Sequence, residues 1–90
     1  MNATTIDARI ADHIALADRK VSRAEDYLAG KRVNEYGMRL DDGDLDAMLA
    51  NAETELVQAF SWMHQGGYAP QRSAAAALVR DRLYAARAAR

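Results

Sequence analysis

The sequence predicts an all-α fold: a small antiparallel bundle of three principal helices, or four if the first breaks near Ser22. Three observations carry this. Apolar residues recur at steps of three and four in three separate stretches, the period of a half-buried helix. Twenty of the 90 residues are alanine, the strongest helix former. Helix-ending and helix-starting residues, Gly30, Gly66-Gly67 and Pro70, stand between the stretches. Only 16 residues are Ile, Leu, Val or Phe. A compact chain of this size buries roughly 64% of its unfolded surface, so thin, closely packed helices must make up the core. Residues 1–90 are read as one helical domain.

The first helix spans about residues 5–29. Thr5 is its expected N-cap, with Asp7 near the positive end of the helix dipole. Ile6, Ile10, Ile14, Ala17, Val21, Ala24 and Leu28 form its apolar stripe. Ser22 and Glu25 have capping-box spacing, which marks the alternative break. Gly30 with Lys31 and Arg32 forms an end signal. Residues 30–41 are an irregular connector. Within it Tyr36, Met38 and Leu40 alternate with Gly37 and Arg39, a brief extended pattern with no evident strand partner, and these three side chains are expected to anchor onto the helices.

The second helix spans about 42–65. Asp41 or Asp42 caps it, and Asp44 and Asp46 suit its first turn. Leu45, Met48, Leu49, Ala52, Leu56, Ala59, Phe60 and Met63 trace one face, and Gly66-Gly67 ends it. The third helix opens at Pro70, where a missing N–H costs nothing, and runs to about Ala88. Ala75, Val79, Leu83 and Ala86 are its inner face, with Leu78 beside it. The short link makes the last two helices antiparallel neighbours.

Composition narrows the function. With no cysteine, the chain has no disulfide framework or thiolate chemistry. No apolar run is long enough to span a membrane, and the first 15 residues lack the form of a secretory signal, so a cytoplasmic location is expected. The aspartates at 41–46 lack the loop spacing of a calcium site. His13 and His64 have no metal-ligand pattern around them, and no glycine-rich phosphate loop is present. The expectation is a protein that is not an enzyme and has no cofactor.

The formal net charge of -1 conceals a partition. Residues 41–67 carry six acids and no Lys or Arg, whereas residues 68–90 carry five arginines and one aspartate. Such a split either orders neighbouring helices or presents two surfaces. The leading expectation is protein–protein interaction, as an adaptor, regulator or inhibitor. Its candidate contacts are Trp62, His64 and Tyr68, an aromatic patch of hot-spot type, and the acids Asp41, Asp42, Asp44, Asp46, Glu53 and Glu55, which suit a basic partner. Ile10, Ile14, Val21 and Leu28 are candidates for the seam of a homodimer. The alternative is a nucleic-acid-binding regulator using Arg72, Arg80, Arg82, Arg87 and Arg90 on the last helix.

Overall fold

The computed structural model describes residues 2–67 and 70–90. Three helices pack against each other: α1 (Ala3–Leu28), α2 (Asp42–Trp62) and α3 (Pro70–Ala88). Met63–Gly67 continues α2 as a π-type turn that is broken at Gly66, whose φ of 112° is not helical. Among the described residues there is no strand, only one isolated antiparallel bridge between Val33 and Arg39. No described helix is long and apolar enough to cross a membrane.

Local signals explain the helix ends, with one correction. Asn2, not Thr5, caps α1: its Oδ1 accepts from the Thr5 N–H at 2.8 Å and from the Thr5 hydroxyl at 2.9 Å. Asparagine caps at least as well as threonine, and here it captures both of the threonine's donors. The helix then continues through Ser22 without a break. The Ser22 hydroxyl accepts a hydrogen bond from Arg82 of α3 at 2.9 Å, so it is engaged between helices. At the far end Gly30 adopts φ 107°. Its N–H donates to the Tyr27 carbonyl, and the Lys31 N–H donates to that of Asp26. This is the Schellman closure that glycine makes possible. Asp41 caps α2 through a reciprocal box in which each aspartate of the Asp41–Asp44 pair accepts from the other's backbone N–H, at 2.8 and 2.9 Å.

The core is a seam of three stripes. α1 buries Ile10, Ile14, Ala17, Val21, Ala24 and Tyr27, and α2 buries Leu45, Leu49, Ala52, Leu56 and Ala59, followed by Met63. α3 adds Ala76, Val79, Leu83 and Ala86. Ala17 and Ala24 are seven residues apart, as are Ala52 and Ala59, and all four are fully buried. Small side chains at heptad spacing let helices approach closely with few large aliphatics.

Several side chains depart from their expected places. Tyr27, three residues past Ala24, takes the buried end of the α1 stripe, leaving Leu28 half-buried. Ala76 replaces Ala75 on the inner face of α3, and Leu78 lies largely in solvent. The accessible surface, 5679 Å², is somewhat above the ~5,200 Å² of a compact chain of this mass. The elongated outline, 42 × 26 × 17 Å, accounts for the excess.

Candidate functional site

Among the described residues, half of the twelve lysines and arginines pair with carboxylates, and four of these arginines join α3 or its end to another helix. Arg72 on α3 donates from Nε and Nη2 to the two carboxylate oxygens of Asp7 on α1, at 3.0 Å each. This guanidinium holds the Asp7 carboxyl below its ordinary range, chiefly by hydrogen bonding and against a smaller effect of burial. Arg82 reaches Glu25 through Nη2 at 2.6 Å and through Nε at 3.2 Å, and also pairs with Asp18. Glu25 and then Asp18 raise the Arg82 pKa further above its already high value. Arg87 pairs with Glu53 and Arg90 with Asp46, which places α3 antiparallel to α2.

The candidate nucleic-acid face is therefore largely neutralised from within. Four of its five arginines have carboxylate partners on another helix, and Arg80 lies 3.6 Å from its neighbour Asp81. The acids of the candidate acidic surface are also engaged, though among the described residues Asp41, Asp42 and Asp44 have no Lys or Arg within ion-pairing distance. Besides Asp46 and Glu53, Asp42 Oδ1 accepts from the Tyr27 hydroxyl at 2.7 Å, and Asp41 and Asp44 form the capping box. Glu55 Oε2 lies 2.6 Å from His13 Nδ1, linking α1 to α2. The Tyr27 phenol has its pKa raised, first by the hydrogen bond to Asp42 and then by burial.

The expected dimer seam is also covered from within. Ile10, Ile14 and Val21 are buried beneath the chain's own helices, and Leu28 is half-buried against the same core. The stripe is long because it packs against both α2 and α3. Of the aromatic patch, Trp62 is half-buried, with the Arg9 guanidinium 5.2 Å from its ring centroid, and His64 is exposed in the π turn. Phe60 is half-buried against the core, and Tyr68 lies outside the described residues.

A different site emerges at the connector. Its two arms fold back on each other around the Val33–Arg39 bridge, with the Leu40 N–H donating to the Arg32 carbonyl and the Asn34 N–H to that of Met38. Asn34 holds the tip. Its Oδ1 accepts from the N–H groups of both Tyr36 and Met38 at 2.9 Å, and Gly37 supplies φ 78° for the turn. The other end of the connector is tied to α1 by Arg32, which donates to the Tyr27 carbonyl and hydroxyl and stacks 4.0 Å from the Tyr27 ring centroid.

The expected anchoring of the connector holds for one side chain out of three. Leu40 packs against the core, but Tyr36 and Met38 are 80% and 64% exposed, and Val33 is also exposed. Tyr36 and Met38 flank the tip of the turn and stand away from the core that Leu40 reaches. The extended segment does have a pairing partner: the other arm of the same connector.

Beneath the tip is a cleft of about 440 Å³. The half-buried Leu40 and Met48 form its apolar floor, with Val33 and Tyr36 beside it. Arg23, Asp26, Lys31 and Glu35 contribute charge, and Arg23 lies 3.8 Å from Glu35. Among the described residues, six cations have no carboxylate within ion-pairing distance: Arg9, Arg19, Lys20, Lys31, Arg32 and Arg39. Five of these six fall between residues 19 and 39, in the last part of α1 and the connector. The five tip residues from Asn34, with Gly37 among them, were the available sequence signal for a turn. No protein-family model, curated protein or solved structure matches this chain.

Proposed function

We propose that this chain is a non-enzymatic protein-interaction module, an adaptor, regulator or inhibitor, and that it engages its partner through the connector end of the bundle. One observation carries the reading: Val33, Tyr36 and Met38 are held exposed on a turn whose backbone is fixed by Asn34, over a cleft with an apolar floor. Exposed large apolar side chains on an ordered backbone lose little entropy on binding, and tyrosine and methionine are enriched at interfaces. The cytoplasmic location expected from composition belongs to the same reading.

The test compares three full-length baits: the unaltered chain, a connector variant (Val33→Ser, Tyr36→Ser, Met38→Ser), and an α3 control (Leu78→Ser, Tyr84→Ser) that removes a similar exposed apolar area. Circular dichroism establishes that all three fold. The expected outcome is a partner held by the unaltered chain and the α3 control and lost from the connector variant. Purified partner should then show the same order of affinities. Equal binding by the connector variant would sink this reading.

A further inference from the structure

We infer that the connector cleft takes an extended segment of a partner protein, which pairs edge-on with the first arm of the connector through the backbone N–H and carbonyl of Val33. This rests on the connector reading above and adds the shape and bonding of the occupant. Val33 and Arg39 face each other across the ribbon, while its two backbone bonds run between their neighbours, Leu40 to Arg32 and Asn34 to Met38, at 2.8 Å each. In this pattern the facing pair exchanges no hydrogen bond, so its own N–H and carbonyl groups point outward, away from the opposite arm. Among the described residues, neither backbone group of Val33 has a partner. An open edge of this kind is a template for another extended chain.

The cleft lies along that edge. Its lining takes Lys31, Val33, Asn34, Glu35 and Tyr36 from the first arm and the tip, but only Leu40 from the second arm. Arg39, whose backbone groups form the opposite edge, does not line it. Successive side chains of an added strand alternate between its two faces. The residue opposite Val33 therefore shares the face of Val33, and its neighbours point to the face that Leu40 occupies, over the floor of Leu40 and Met48. One bulky apolar side chain there fills the cleft. The arm needs little ordering on binding, because Asn34 and Gly37 already fix the turn beside it. Charge does not choose the occupant: Arg23 and Lys31 in the lining stand against Asp26 and Glu35. A second copy fits less well, because a two-fold pairing through this edge sets cleft against cleft and leaves both floors uncovered.

The test is selection of a random peptide library, displayed on phage, against the intact chain. Peptides retained by the connector variant (Val33→Ser, Tyr36→Ser, Met38→Ser) are discarded. Each remaining peptide is then synthesised with a single N-methyl group at each backbone nitrogen in turn, which removes that N–H and keeps the two backbones apart. The expected result is a loss of about tenfold or more in affinity at alternate positions, with little change between them. Hydrogen exchange of the Val33 amide, followed by NMR, should slow in the complex. Connector-dependent peptides that show no such alternation, or that leave Val33 exchange unchanged, would overturn edge pairing while leaving the connector reading intact. Peptides that all bind the connector variant equally, or no enriched peptide at all, would overturn both. A mass that doubles with concentration in the chain alone, with slowed exchange at Val33, would overturn the inference in favour of a second copy.

Discussion

At Arg72 and Asp7 a single bidentate pair joins the start of α3 to the start of α1. Because the pairing lowers the folded-state pKa of Asp7, its stabilisation is complete above the ordinary value of 3.8 and is lost as pH falls through the lower, folded value. Arg72→Gln should therefore lower the thermal midpoint at neutral pH, and the gap to the unaltered chain should narrow in strong acid. Thermal melts of both proteins across pH 7 to about 2 check this. A constant gap would mean that the pair contributes nothing through its charge. The same scale shows where sequence reading stops. Asp7 is expected from the sequence as an acid near the helix start, but with the cap at Asn2 it lies past the first turn; its partner is 65 positions away, and no local pattern addresses one to the other.

At the scale of elements, starts and stops were legible because caps act within a few residues. Gly30, Asp41, Gly66 and Pro70 all perform their expected roles. The exception, Asn2 in place of Thr5, arose because two residues three positions apart have similar capping chemistry. Gly30 offers a clean check. A methyl group added there would meet nothing within 4 Å, so Gly30→Ala is opposed by backbone strain alone. Its expected cost is about 1–2 kcal/mol, measured by urea denaturation, with the helix content of the folded state unchanged. The connector was the least legible element. Its alternation was visible, but whether Tyr36 and Met38 turn in or out depends on a turn closed by the Asn34 side chain.

For the whole molecule, the small core should resist change in both directions. Ala52 is fully buried between helices, so Ala52→Leu should destabilise by about 1–3 kcal/mol through overpacking. Leu45→Ala should cost about 2–5 kcal/mol through the opposite defect, a cavity. Val21→Ala separates the two roles of the α1 stripe. With Val21 inside the chain's own core, the substitution should lower the denaturation midpoint equally at all protein concentrations. A midpoint that shifts with concentration in the unaltered chain but not in the variant would restore the seam between copies.

The sequence by itself determined the all-α class, the three helices and most of their buried faces, because periodicity and capping depend on residues only a few positions apart. It also showed that an acidic segment and an arginine-rich segment coexist. Only the tertiary structure decided that Arg87 and Arg90 meet Glu53 and Asp46, that Arg82 meets Asp18 and Glu25, and that the connector keeps cations without such partners. Composition counts charges but carries no addresses. Once the helices pack, the pairs between them form internally, and the exposed apolar tip is left at the connector end of the bundle.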